Sequence, residues 1–344
     1  MSSALRVSSL VFLLSALANA RADDSSRLPD VTALQAAMQK AIERAEPSIA
    51  CILMTRNEGG RGFAPEKPTF IPELYGSGVV IDETGLVLTN EHVIRGATGL
   101  FVRLPGEKGC YASILAADQR SDLAVLKMDV RGRQFKAIQL GQGEKLRKGQ
   151  FVLSLANPFA AGFRDGSPSA SWGIVSNLRR RAPLSEVELK GEVQNDKALA
   201  QFATLIQTDA RLNLGCSGGA LIDLDGKLVG LTTAVAALNG SETPGGFALP
   251  MDKSVRAIVE KLRRGEEVEY GFLGVVFLST SGTGREGIPV AVIPGGAAAT
   301  AGMPVSRGDR DDGCLILSIN GVPARDHSEL SFLIGTALAG STVK

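Results

Sequence analysis

The hydrophobic pattern changes period along the chain. Between residues 48 and 250 the apolar runs are short and broken by Gly, Asn and Asp, at 48–54, 76–82, 86–89, 100–104, 112–116, 124–128, 151–156, 171–176, 219–224, 228–234 and 246–250. Short runs bounded by turn residues predict strands. About eleven in succession, without helices between them, predict a mostly β fold of barrel or sandwich type and argue against a doubly wound α/β sheet. Helical spacing flanks this region. Val31, Leu34, Met38 and Ile42 share one helix face, with Asp30 as predicted cap and Pro47 as stop. Val255, Ile258, Val259 and Leu262 do the same between Asp252 and Gly265, and Lys261, Arg263 and Arg264 suit the C-terminal end of the helix dipole. The charged stretch 266–269 reads as a linker. A second, smaller unit follows at 270–344, with strands predicted near 272–278, 289–293 and 315–319 and helices at 297–301 and 328–336.

The N-terminus adds a location. One cation at Arg6, an apolar run at 7–18 and small residues up to Ala22 predict a cleaved secretory signal over 1–22, followed by an extension and helix at 23–47. The apolar run is shorter than the ~20 residues a membrane span needs, so the mature chain is expected to be exported, periplasmic or extracellular, with no integral membrane segment. The 344 residues leave room for about two domains. Forty glycines beside 5% aromatics fit turn-rich β-structure. The 37 basic and 36 acidic residues nearly cancel, which excludes electrostatic capture of nucleic acid. The four cysteines are scattered without metal-ligand spacing, so no metal is expected; Cys51 and Cys110, both on predicted strands, are the pair considered for a disulfide.

Three motifs in the β-rich region could carry chemistry: Thr89-Asn90-Glu91-His92-Val93, Ser121-Asp122-Leu123-Ala124-Val125 and Gly215-Cys216-Ser217-Gly218-Gly219. Each alone is commonplace. Together they supply a nucleophile, a base to take its proton and a carboxylate to hold that base, in the chain order His, Asp, Ser of chymotrypsin-like enzymes. Of the two histidines, His327 precedes a predicted helix in the second unit, which leaves His92 as the base. Ser217 is then the expected nucleophile and Asp122 the group that orients the imidazole. The glycines around Ser217 allow a tight turn from which the N–H groups of Gly215 and Ser217 can form an oxyanion hole.

The runs Gly76-Ser77-Gly78-Val79-Val80-Ile81, Leu88 through Ile94, Asp118 through Lys127, Ala156-Asn157-Pro158-Phe159, Gln207-Thr208-Asp209-Ala210 and Gly215 through Leu221 resemble the HtrA/Deg family of trypsin-like serine proteases over 48–264. Tyr270 through Val275, Ile293 through Ala298 and Ile316 through Gly321 resemble the PDZ domain that follows the protease in that family. The resemblance implies a chymotrypsin-like double β-barrel with the catalytic groups between the barrels, endopeptidase action on unfolded or misfolded proteins, no cofactor, and a homotrimer or larger assembly. It also implies that Gly271, Phe272, Leu273 and Gly274 receive the carboxylate of a C-terminal peptide, which adds as a strand; packing of Phe272 and Leu273 into a core is the other reading of the same residues.

This sequence departs from the family in places. Cys216 stands where the family usually has Asn, beside the oxyanion-hole peptide and as a candidate redox-sensitive thiol. Arg211 either enters the specificity pocket or points to solvent, with Thr232, Thr233 and Ala234 as the candidate wall opposite. The stretch 179–204 is longer than the family's regulatory loop, and 340–344 resembles the beginning of the last PDZ strand, so that the PDZ unit reads as truncated. The rival reading of the whole is a catalytically weak chaperone or scaffold of the same fold. A carbohydrate-binding β-protein would need more surface aromatics than one Trp and three Tyr.

Overall fold

The computed structural model describes residues 28–57, 59, 62–130, 132–181, 204–233, 245–278, 287–305 and 313–344. Twelve strands form two closed six-stranded barrels. The first contains β1 (Ile49–Thr55), β2 (Leu74–Val80), β3 (Leu86–Thr89), β4 (Gly99–Arg103), β5 (Cys110–Asp118) and β6 (Leu123–Met128), in the closed order β1-β2-β3-β6-β5-β4. The second contains β7 (Phe151–Ala156), β8 (Ser169–Arg180), β9 (Leu205–Thr208), β10 (Ala220–Ile222), β11 (Leu228–Thr233) and β12 (Gly246–Pro250), in the order β10-β11-β12-β9-β8-β7. Both barrels are antiparallel throughout.

Burial explains why the runs read as continuous rather than alternating. All seven residues of β1 are buried. Ala50, Ile52 and Met54 fill the first barrel with Val80, Val87, Val102 and Leu126, whereas Ile49 joins a cluster that runs across to Leu153, Leu155, Leu231 and Leu249 of the second barrel. A strand with the barrel interior on one side and a neighbouring barrel on the other has no wet face, so period-2 alternation disappears. Each large aliphatic side chain buried this way contributes roughly 1.5–3 kcal/mol.

Helix α1 (Leu28–Ala45) packs Met38 and Ile42 on that shared cluster, and its end is followed by a 3-10 turn containing Pro47. It begins before Asp30, which therefore lies in the first turn and is not the cap. A one-turn helix α2 (Glu91–Ile94) carries His92. Helix α3 (Lys253–Arg263) is capped by Asp252, whose carboxylate accepts the Val255 N–H at 2.9 Å, and its Val255, Ile258, Val259 and Leu262 close the shared cluster. Strand β9 lies outside the predicted set, because four residues with only Leu205 and Ile206 strongly apolar give no periodic signal. Strand β8 runs well beyond the predicted 171–176 at both ends.

The second unit holds a three-stranded sheet of β13 (Val275–Phe277), β14 (Ile288–Val292) and β15 (Cys314–Ile316), with β13 at one edge, and a small ribbon of β16 (Ser318–Ile319) and β17 (Val322–Pro323). Helix α4 (Ala297–Thr300) is one turn long. Helix α5 (His327–Gly335) starts at a cap in which the Asp326 carboxylate accepts the N–H groups of Ser328 and Glu329, which accounts for His327 as a helix-start residue. Residues 340–344 form no strand, and Lys344 pairs with Asn320 through its N–H and its carbonyl.

The considered Cys51–Cys110 disulfide is not formed; all four cysteines are free thiols. Cys51 lies opposite Arg103 in the β1–β4 register, whereas Cys110 lies opposite Val102 in the β4–β5 register, so strand β4 separates them. Burial pushes the Cys51 thiol up to about 12. No helix among the described residues is long and apolar enough to cross a membrane, and no group of three or more His, Cys, Asp and Glu residues among them could hold a metal.

Candidate active site

His92 and Asp122 meet because β3 and β6 are neighbours. Thr89 at the end of β3 pairs with Ala124 near the start of β6, which brings the following turn of one strand beside the preceding turn of the other. The imidazole Nδ1 of His92 lies 2.9 Å from Oδ1 and 2.8 Å from Oδ2 of Asp122, and the backbone N–H of His92 donates to Oδ1 at 2.9 Å. A carboxylate only accepts, so the ring carries its proton on Nδ1 and presents a lone pair at Nε2. The backbone supports the pair as well. The Asp122 carbonyl accepts from the Glu91 N–H and from the Asn90 side-chain amide, both at 3.1 Å. Asp122 itself sits at φ 56°, a left-handed conformation that Asp tolerates better than most residues.

Ser217 lies in the turn between β9 and β10, only 6% exposed. Its loop is stitched to the first barrel by Ser77, a buried residue of β2 for which the sequence suggested no role. The Ser77 N–H donates to the Ser217 carbonyl at 2.8 Å, its hydroxyl donates to the Gly215 carbonyl at 2.7 Å and accepts the Asn157 N–H at 2.8 Å, and its own carbonyl accepts the Thr89 hydroxyl at 2.7 Å. One small hydroxyl residue thus ties together the serine loop, the end of the strand that precedes His92, and the Asn157 turn. Gly218, at φ +83°, packs so closely here that a Cβ would stand 2.1 Å from the Ser77 carbonyl oxygen and 2.3 Å from Thr89 Oγ1. Only glycine fits that approach.

Two backbone N–H groups of the loop have fixed directions. The Leu214 carbonyl accepts the Phe159 N–H at 2.8 Å, and since the peptide is trans and planar, the Gly215 N–H on the same peptide points the opposite way. The Cys216 carbonyl is held by the Thr232 hydroxyl at 2.6 Å and by the Gly219 N–H at 3.0 Å, which directs the Ser217 N–H away from Thr232 in the same manner. The anchor for Leu214 is an unusual turn. Phe159 and Ala160 are both left-handed, at φ 52° and 56°, and the turn is closed by the buried Asn157 side chain, whose Oδ1 accepts the Gly162 N–H and whose amide donates to the Ala50 carbonyl. Such conformations cost of order 1–3 kcal/mol each and persist where the surroundings enforce them.

Cys216 is 3% exposed, and its sulfur accepts the Asn213 N–H at 3.3 Å while its N–H donates to the Asn213 carbonyl at 3.0 Å. Burial raises its thiol pKa, opposed only by that hydrogen bond. A buried, protonated thiol is inert, which removes the expectation of a redox-sensitive spot. Iodoacetamide added to the folded protein should leave Cys216 unmodified and alkylate it after denaturation; rapid alkylation of the native protein, read by peptide mass spectrometry, would contradict this packing.

The remaining candidates are dispersed. Arg211 is exposed and its carbonyl accepts the Ser171 hydroxyl at 3.1 Å, while Thr232 and Thr233 are buried in β11; Ala234 lies outside the described residues. In the second unit Phe272 is 70% exposed, whereas the Leu273 side chain packs on the core of the small sheet, so the core-packing reading holds for Leu273 and not for Phe272. The Gly271 N–H already donates to the Ala337 carbonyl at 2.7 Å, and the Gly274 carbonyl accepts from Ile293 at 2.8 Å. Of the long stretch 179–204, residues 182–203 lie outside the described residues.

Residues 76–231 match the trypsin-like peptidase domain family. The chain is 32% identical over 311 residues to a probable periplasmic serine endoprotease, DegP-like, of Ectopseudomonas mendocina, covering 90% of this chain and 58% of that protein. To the periplasmic pH-dependent serine endoprotease DegQ of Escherichia coli it is 33% identical over 290 residues, covering 81% and 58%. Among solved structures it is similar to the HtrA-type protease AlgW with tripeptide, at 27% identity and a TM-score of 0.62, covering 89% of this chain and 90% of that one. The chain therefore spans a little under three fifths of the length of these two curated relatives. Residues 76–231 thus carry a trypsin-like peptidase domain, and along most of its length the chain is similar in sequence and in fold to HtrA/Deg-type serine proteases.

Proposed function

We propose that the chain is an exported serine endopeptidase that hydrolyses peptide bonds in unfolded or misfolded proteins. Ser217 Oγ attacks the scissile carbonyl, His92 Nε2 takes its proton and later delivers it to the leaving amine, and Asp122 keeps the imidazole in the required tautomer. The N–H groups of Gly215 and Ser217 receive the oxyanion. No cofactor takes part. The observation that carries this reading is the double contact of the Asp122 carboxylate with His92 Nδ1, at 2.8 and 2.9 Å. The tethered Leu214 and Cys216 carbonyls support the oxyanion assignment, since donors already oriented need no reorganisation when charge develops.

The second unit fits the role of a PDZ domain that binds C-terminal peptides. β13 is an edge strand with Val276 and Phe277 exposed, so an extended peptide can pair with it and lay its side chains beside exposed Phe272. With Gly271 already paired to Ala337, Phe272, Leu273 and Gly274 are the residues to receive the carboxylate. Assembly as a homotrimer or larger, and a periplasmic or extracellular location, complete the proposal.

A fluorophosphonate probe tests the catalytic part. It is expected to label the folded protein at Ser217, identified by mass spectrometry, and not the urea-unfolded chain, because reactivity depends on His92 and the oriented N–H groups. Binding of unfolded protein without labelling at Ser217 would favour the chaperone or scaffold reading.

A further inference from the structure

The turn that presents Asp122 is held from its far side by a residue of the second unit. Within the turn, the Asp118 carboxylate Oδ2 accepts the Ser121 N–H at 2.8 Å, and the Asp122 N–H donates to the Gln119 carbonyl at 3.3 Å. Ser121 is 2% exposed, so the turn has little room to shift. The same Asp118 Oδ2 accepts a hydrogen bond from the hydroxyl of Tyr270, a residue 152 positions later in the chain. The Arg120 guanidinium, from the same turn, lies 4.3 Å from the centre of the Tyr270 ring. Tyr270 thus grips the turn twice, by its hydroxyl and by its face.

Tyr270 is itself fixed by the second unit. It forms an antiparallel bridge with Leu338, flanked by hydrogen bonds from Gly271 N–H to Ala337 O at 2.7 Å and from Ala339 N–H to Glu269 O at 2.8 Å. Helix α5 ends just before this bridge, and a Cβ on its Gly335 would stand 2.9 Å from the Arg120 guanidinium. A continuous set of contacts therefore runs from α5 through Tyr270 and Asp118 to Ser121, Asp122 and His92.

We propose that Tyr270 is a positioning residue for the general base: its hydroxyl, acting through Asp118, sets the turn that holds Asp122 against His92. This rests on the triad assignment above. It goes beyond it by assigning to the start of the second unit a share in aligning the catalytic pair, without touching substrate.

Tyr270→Phe removes the hydroxyl and keeps the ring over Arg120. The expected result is a fall in kcat of about tenfold with KM and Tm little changed, together with broadening of the low-field Nδ1–H proton signal of His92 as that proton exchanges faster with water. Selective histidine labelling makes the signal readable, because His327 is the only other histidine. Asp118→Asn should reproduce both effects, and the double variant should lose little more, since the two act through one contact. An unchanged kcat and an unchanged Nδ1–H signal in Tyr270→Phe and Asp118→Asn would overturn the proposal, as would a loss of activity that only tracks a lowered Tm. Fluorophosphonate labelling of Ser217 in the unsubstituted protein separates the cases: without it the triad reading fails, whereas labelling with no response to Tyr270→Phe defeats the positioning role alone.

Discussion

Replacing Ser217 by alanine is expected to lower kcat on an unfolded protein substrate by about 10⁶-fold, to the residual level that binding and the oxyanion donors supply on their own. The substitution removes one oxygen. It leaves the backbone bond between the Ser217 carbonyl and the Ser77 N–H, and it leaves the Thr232 and Gly219 contacts that hold the Cys216 carbonyl. Thermal unfolding should therefore shift little, by about 2 °C, because these backbone contacts of the loop are kept and a single hydroxyl oxygen is deleted. The neighbouring thiol cannot take over, because Cys216 is buried with its sulfur turned to the Asn213 N–H. Turnover within tenfold of the unsubstituted protein, measured with purified samples, would place the nucleophile elsewhere.

Asp122→Asn should be the next most severe change, lowering kcat by about 10⁴-fold with a smaller effect on KM. The amide retains the shape of the carboxylate, and its oxygen can still accept the His92 backbone N–H, now at 2.9 Å. Asparagine also tolerates the left-handed backbone at this position, φ 56°, so the turn is not strained by the exchange. What changes is the proton. An amide NH₂ facing Nδ1 requires Nδ1 to accept, which moves the ring hydrogen to Nε2 and removes the lone pair that Ser217 needs. Asp122→Ala, by contrast, also loses the bond to the His92 backbone and should lower Tm. A kcat for Asp122→Asn within tenfold of the unsubstituted protein would show that tautomer control by this residue is not part of the reaction.

Much of this was legible in the chain. Strands β3, β7 and β12 fall on the predicted runs 86–89, 151–156 and 246–250, and α3 lies within its predicted capping residues, because local periodicity and turn residues are properties of contiguous sequence. His92, Asp122 and Ser217 stood out for a similar reason: each sits in a short motif, and the chemistry requires those three residue types. Asp30 was misread as a cap because a polar residue before an apolar period looks the same whether the helix begins there or two residues earlier. β9 was missed because four residues hold too little pattern.

The supports of the site were not legible, and the physical reason is distance along the chain. Ser77 bonds to Gly215 across 138 positions, Asn157 to Ala50 across 107 and Tyr270 to Asp118 across 152. A serine in Gly76-Ser77-Gly78 looks like any small residue in a strand until the barrels close and bring its hydroxyl between the Gly215 carbonyl and the Asn157 N–H. The direction of the Gly215 N–H likewise depends on where Phe159 anchors the Leu214 carbonyl, a fact about two loops and not about either motif. By itself the sequence determined most of the strands, the bodies of the longer helices and the residue types that can do chemistry, since these follow from short-range spacing and residue type. Only the tertiary structure decided how the serine loop is tied to its neighbours, which thiols are buried and how the second unit grips the turn of Asp122, because those depend on contacts that exist only once the chain has folded.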